Sequence, residues 1–195
     1  VIGVPKTIDN DLAATDHTPG YGSAAKYIGS ITKEVIRDGL VYDQQNVTLL
    51  EIMGRNAGWL TGAAALAKCE DCEGPDMIFL PEIPFDVENF MKKVEELHKR
   101  KKSVVVAISE GKKMADGRNV CELTDTIDYV DAFGHRQLTG TARYLAEKIS
   151  REVGCKTRAI EFNSLQRCAS HIVSRVDITE AFQVGGAAVK AAFEG

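Results

Sequence analysis

Short apolar runs alternate along the chain with longer stretches whose apolar residues recur every three or four positions, and each change of period marks an expected change of element. Val1 to Val4 reads as a buried strand. From about Gly20 to Leu40, Ala24, Ile28, Ile31, Val35 and Ile36 mark one face of a helix. Val47 to Ile52 reads as a strand, Ala57 to Ala67 as a helix, and Met77 to Leu80 as a strand stopped by Pro81. Val87 to about Lys101 then reads as a helix with a charged outer face, and Ser103 to Ile108 is the clearest strand of all. A helix from about Gly134 to Val153, a strand from Thr157 to Phe162 and an alanine-rich helix from Ile178 to Phe193 complete the series. This alternation predicts the α/β class, with a mainly parallel sheet and helices on both faces.

The stretch from Gly111 to Asp131 breaks the rhythm, being polar and rich in Asp, Lys and Gly, and is expected to run over the surface. No internal repeat or low-complexity tract is visible. Val1 stands inside a strand-like run with no methionine before it, and a parallel strand needs neighbours and covering helices, so the chain is expected to be a piece of a longer protein.

Composition narrows the function classes only modestly. The 195 residues include 44% apolar and 27% charged residues, and the net charge of −4 does not favour a nucleic-acid partner. No apolar run approaches the roughly 20 residues of a membrane helix, and no signal peptide is apparent, so a cytoplasmic protein without membrane contact is expected. The five cysteines are odd in number and do not form a disulfide framework. Cys69-Glu-Asp-Cys72 has the spacing of half a zinc site or of a redox pair, but no second CxxC follows and no histidine stands at ligand spacing, so neither use is expected.

Ligands of open parallel sheets bind beyond the carboxyl ends of the strands, which directs attention to four turns. These are Pro5-Lys6-Thr7-Ile8-Asp9-Asn10-Asp11, Met53-Gly54-Arg55, Ser109-Glu110-Gly111 and Asn163-Ser164-Leu165-Gln166-Arg167, with Arg158 at the start of its strand. Thr7, Asp9 and Asp11 share one face if the first turn stays extended. Carboxylates mixed with arginines suit phosphoryl transfer to an alcohol: a carboxylate accepts the hydroxyl proton, and cations spread the charge of the moving group. Further arginines would grip a phosphate already on the acceptor. Taken singly, each residue also fits a structural role, as a loop-capping Asp or a surface ion-paired Arg.

Together the motifs resemble a known family. Gly3-Val4-Pro5-Lys6-Thr7-Ile8-Asp9-Asn10-Asp11 is similar to the catalytic loop of 6-phosphofructokinases, and Glu51-Ile52-Met53-Gly54-Arg55 followed by Ala57-Gly58 to their sugar-binding motif. Pro81-Glu82, Ser109-Glu110-Gly111 and Leu165-Gln166-Arg167 follow in the family's order. The resemblance implies that Asp9 is the base for the 1-hydroxyl of fructose 6-phosphate, and that Thr7 and Arg55 stabilise the phosphoryl group in flight. Met53, Gly54 and Glu110 would hold the sugar, and Arg158 and Arg167 its 6-phosphate. Arg158 would reach a neighbouring subunit, so a homo-oligomer is implied. Asp11 would support the magnesium-phosphate environment, with Mg2+ as cofactor.

The resemblance also implies a domain plan, in which residues 1–19 end a donor-binding domain, 20–170 form the fructose 6-phosphate-binding domain, and 171–195 return toward the donor side. The donor loop would precede Val1, so these residues alone are expected to be inactive. Asn46 replaces a frequent phosphate-clamping arginine, and Ser164 a frequent histidine or tyrosine. Cys168-Ala169-Ser170-His171 and Asp131-Ala132-Phe133-Gly134-His135 resemble the divergent branch that includes many pyrophosphate-dependent enzymes. His135 and His171 themselves are expected to be partly buried structural residues. Lys6 stands where pyrophosphate users carry lysine and many ATP users glycine, in keeping with the dense charge of pyrophosphate. An ATP-dependent enzyme and a non-catalytic regulatory subunit of the same fold remain as alternatives. Neither a GxxxxGK[ST] loop nor a GxGxxG turn occurs.

Overall fold

The computed structural model describes residues 1–123 and 138–195. Its two central strands, β1 (Asn46–Ile52) and β3 (Ser103–Ser109), are buried at all seven positions each, which is why both read as mainly apolar runs, with Thr48 and Glu51 as polar interruptions in β1. Among the described residues they pair in parallel with β2 (Met77–Phe79) and β4 (Lys156–Glu161) in the order β2-β3-β1-β4. The register sets Ile52 beside Ser109 and Glu51 beside Glu161, so the chain leaves β1, β3 and β4 at the same edge of the sheet.

Each face of the sheet has its own core. Val47 and Leu49 of β1 and Val104, Val106 and Ile108 of β3 pack against α3 (Val87–His98) and α4 (Thr141–Glu152). Leu50, Ile52, Val105 and Ala107 point the other way, toward α1 (Tyr21–Leu40) and the short α2 (Trp59–Gly62). The period-2 alternation of side chains within each strand thus builds two cores from one sheet. The class read from the sequence, α/β with a parallel sheet and helices on both faces, is the class observed.

Several elements differ from expectation. Val1 to Val4 form no strand, and Val1, Ile2 and Val4 are exposed; a short apolar run becomes a strand only where a neighbouring strand takes its hydrogen bonds, and none among the described residues pairs with it. The helix expected over Ala57 to Ala67 is four residues of α-helix followed by a 3-10 turn over Ala63–Ala67. That turn packs closely on α1, where a Cβ at Gly29 would lie 3.0 Å from the Leu66 Cβ. Asp86 caps α3, accepting from the Asn89 amide at 3.0 Å, and the helix ends at His98 rather than Lys101.

The polar stretch after Gly111 is not all surface. Lys112 is fully buried, donates to the carbonyls of Leu80 and Ile83, and lies over the Phe79 and Phe85 rings. Val120 and Cys121 are buried too. Residues 124–131 of that stretch, together with Gly134 and His135, lie outside the described residues, and the helix expected from about Gly134 begins at Thr141, after Gly140 in a left-handed conformation.

The last helix, α5 (Arg175–Glu194), is attached chiefly by its first turn. Asp177 is buried and accepts from the Gly20 amide at 3.0 Å, the Ser23 amide at 2.6 Å and the Ser23 hydroxyl at 2.5 Å. Beyond that turn Phe182, Val189 and Phe193 are exposed.

Candidate active site

The turns after β1 and β3 are laced together by one hydroxyl. Ser109 Oγ donates to the Gly54 carbonyl at 2.7 Å and accepts from the Gly111 amide at 3.0 Å, while the Glu110 amide donates to the Ile52 carbonyl at 2.9 Å. Two glycines permit this proximity. Gly54 has φ 117°, and a Cβ there would lie 2.5 Å from the Ala57 carbonyl oxygen; a Cβ on Gly111 would lie 2.0 Å from the carbonyl oxygen of Arg55. The turn after β4 joins through Gln166, whose Oε1 accepts from the Met53 amide at 3.2 Å.

The loop carrying Asp9 is anchored by Ile8, which is buried in the α1-side core together with Phe162. The Asp9 amide donates to Thr7 Oγ1 at 3.1 Å. The loop does not stay extended: Asn10 adopts φ 60°, and its side-chain oxygen accepts from the Thr18 amide at 2.9 Å. Thr7, Asp9 and Asp11 therefore do not line up by strand alternation, although Asp11 is close enough to Asp9 for their charges to oppose each other.

Electrostatics show how tightly the groups converge. Burial pushes the Asp9 carboxyl above its usual range and the Asp11 charge adds to this, while Arg55 and Lys6 pull it back. Glu110 is pushed up to about 7 by burial, then by Asp9 and Glu51, against the pull of Arg55 and the Gly54 amide. Asp9, Arg55 and Glu110 thus lie within one another's field at the carboxyl edge of the sheet, as the sequence suggested.

The remaining candidates divide into two groups. Lys6 and Arg167, both exposed, line a neighbouring cleft of about 440 Å³ with Ile8, Gln166 and Ser170. Arg158 does not face the crevice: it sits opposite Thr48 in the first half of β4, roughly 13 Å along the strand from the level of Ile52. There its guanidinium stacks on Tyr42 at 4.9 Å and lies 3.7 Å from Asp38. Asn46 is buried and structural, donating to the carbonyls of Gly39 and Gln44 and accepting from the Ser103 hydroxyl at 3.0 Å. His171 is exposed rather than partly buried, because it falls on a short 3-10 turn at the surface.

Sequence reasoning did not single out Glu51 by itself. It is 3% exposed, and its two carboxylate oxygens accept from the Gly140 amide at 3.1 Å and the Ala142 amide at 2.7 Å, fixing the start of α4. Burial raises it to about 7 against the pull of those amides. Thr141, between the two amides, donates its hydroxyl to the Glu110 carbonyl at 3.3 Å. The available signal was a carboxylate inside an otherwise apolar strand. Glu82 was noted only as part of a motif, and it accepts from the Gly58 amide at 2.6 Å.

Among the described residues no group of three or more His, Cys, Asp or Glu side chains could hold a metal ion by itself. Nor is any described helix long and apolar enough to cross a membrane.

Known proteins resemble this chain along nearly its whole length. The family model for Phosphofructokinase matches residues 1–192. A Pyrophosphate--fructose 6-phosphate 1-phosphotransferase of Halomonas elongata is 42% identical over all of this chain and 46% of its own length. An ATP-dependent 6-phosphofructokinase 2 of Streptomyces coelicolor is 35% identical, again over all of this chain and 54% of its own length. Among solved structures, a pyrophosphate-dependent phosphofructokinase from Marinobacter aquaeolei superimposes with a TM-score of 0.81 at 37% identity, covering all of this chain and 44% of that one. The chain therefore spans about half the length of the relatives it matches. With a parallel sheet of this order, a crevice built at its carboxyl edge and a family match over nearly every residue, the chain belongs to the phosphofructokinase family.

Proposed function

We propose that these residues form the acceptor side of an enzyme that transfers a phosphoryl group to the 1-hydroxyl of fructose 6-phosphate, giving fructose 1,6-bisphosphate, with pyrophosphate as donor. The observation that carries this reading is the convergence of Asp9, Arg55 and Glu110 at the ends of β1 and β3. Asp9 takes the hydroxyl proton as the oxygen attacks phosphorus, and its partial burial beside Asp11 makes it a stronger base than a free carboxylate. Arg55 and Thr7 neutralise the charge on the transferring group. Met53, Gly54 and Glu110 hold the sugar, and Arg167 grips its 6-phosphate.

Arg158, which faces away from this crevice, would serve the sugar phosphate of an adjacent subunit in a homo-oligomer. Residues 20–170 would be the sugar-binding unit, with residues 1–19 and 171–195 belonging to the donor side of a cytoplasmic glycolytic enzyme. Lys6, exposed beside Asp9, would meet the pyrophosphate.

The cofactor in this reading is Mg2+. Asp11, in the same loop as Asp9 and close enough to feel its charge, would support the magnesium-phosphate environment, where the ion keeps water and phosphate oxygens in its shell. When bound, it neutralises charge on the phosphates.

ATP is the competing donor, favoured by the similarity to the Streptomyces coelicolor relative. A coupled assay for fructose 1,6-bisphosphate on the full-length enzyme with magnesium separates the two. Turnover with pyrophosphate and little with ATP is expected, the reverse would assign ATP, and no turnover with either would remove the catalytic reading.

A further inference from the structure

At the opposite edge of the sheet from the crevice lies a cysteine pair for which the phosphoryl-transfer chemistry has no use. Cys69 and Cys72 face each other across a tight turn, the Cys69 amide donating to the Cys72 carbonyl at 2.9 Å and the Cys72 amide to the Cys69 carbonyl at 3.3 Å. Residues paired in this way have Cα atoms about 5.5 Å apart, within the span of roughly 4.4–6.8 Å that a disulfide bridges. Both thiols are free.

The two sulfurs are unequal. Cys69 is exposed, whereas Cys72 is 8% exposed. The Lys33 ammonium donates to Cys69 Sγ at 3.0 Å and to Asp71 Oδ1 at 2.7 Å, and the Cys69 thiol lies 3.1 Å from the same Asp71 oxygen. Arg37 forms a second ion pair with Asp71 and another with Glu34, so the charges around the thiol are two cations and two carboxylates that hold the turn in place. Glu70, Glu73 and Asp76 share the adjoining cleft with Lys68, Arg100 and Lys101, and Asp76 pairs with Lys101. Exposure leaves Cys69 within reach of a reagent in solution. The buried partner is shielded from outside reagents and placed to react only with its neighbour.

We propose that Cys69 and Cys72 form a reversible dithiol–disulfide site that reacts with small-molecule disulfides, Cys69 attacking and Cys72 resolving. The Cys69 thiolate attacks one sulfur of the incoming disulfide, forming a mixed disulfide and expelling the other half as a thiolate that takes a proton from water. Cys72 then loses its proton to solvent, attacks the Cys69 sulfur and expels the second half. Two protein thiols are oxidised to one disulfide, and the small disulfide is reduced to two thiols. The site stands independently of the phosphoryl-transfer reading.

Glutathione disulfide is the probe, with mass spectrometry of the tryptic peptide from Cys69 to Lys92, which contains no other cysteine. In the full chain this peptide should lose two hydrogens and recover them with dithiothreitol, while C72S should retain glutathione on Cys69. In the unmodified reduced protein, iodoacetamide at neutral pH should label the exposed Cys69 at least about threefold faster than the buried Cys72. A mixed disulfide that persists on Cys69 of the unmodified chain overturns the proposal. So does labelling of Cys69 no faster than Cys72, a comparison that needs no variant to fold.

Discussion

Gly111 lies so close to Arg55 that a Cβ on residue 111 would sit 2.0 Å from the Arg55 carbonyl oxygen and 2.7 Å from its Cα. Two groups of the proposed chemistry, Glu110 and Arg55, are therefore held in register by the absence of a single methyl group. Because the obstacle is backbone, Gly111→Ala must push the two turns apart, and a displacement near 1 Å costs roughly 10²-fold in rate. Turnover of the full-length enzyme should fall by about that factor with the protein still folded by circular dichroism. Normal kinetics would show that the two turns need not touch.

Asp9→Asn removes the base but keeps its shape. In the full-length enzyme kcat should fall by roughly 10²- to 10⁴-fold with little change in KM for fructose 6-phosphate, since the proton moves only in the transition state. Arg167→Ala should instead raise KM with a smaller effect on kcat. Near-normal turnover of the Asn variant would remove Asp9 from the role of base.

Glu51 and Glu110 make stability depend on pH in a direction opposite to most carboxylates. Both hold their protons up to about 7 in the folded chain against an ordinary value of 4.5. The folded state thus binds protons more tightly than the unfolded one. Its stability is full below about pH 4.5, declines as pH rises toward 7, and is level above that. For the buried Glu51 the loss should be on the order of 1–3 kcal/mol, tempered by its two amide partners. Urea midpoints across this range should show that slope in the native chain and a flatter one in Glu51→Gln, whose midpoint at low pH is also lower because its amide group faces a backbone N–H. Equal slopes in both proteins would show that Glu51 does not titrate in this range.

Asp177 joins the first turns of α1 and α5 through three hydrogen bonds. Asp177→Ala leaves the Gly20 and Ser23 donors without their acceptor and should cost about 2–3 kcal/mol. Amide exchange should accelerate at Gly20 and Ser23 and along α5, while β1 and β3 keep their protection. Unchanged exchange in α5 would mean that other contacts hold it.

The amino-acid sequence alone determined the class of fold and the places where chemistry collects. Strands buried on both faces must be mainly apolar, as Val47 to Ile52 and Ser103 to Ile108 are, and parallel strands must send their loops to one edge. Polar residues after those runs had to gather there, and a period of 3.6 was enough to place α1, α3 and α4. Only the tertiary structure decided which of those residues share a field. Arg158 follows the same local rules as Arg55 but lies far back along β4 against Tyr42 and Asp38, while Glu51, hidden within an apolar run, turns out to tie α4 to the crevice. The Val1 to Val4 run, strand-like by composition, stays outside the sheet because composition supplies no hydrogen-bonding neighbour. Periodicity reports which way a side chain faces relative to its own element; whether that direction meets a carboxylate, an arginine or solvent depends on neighbours distant in sequence, and only packing brings those together.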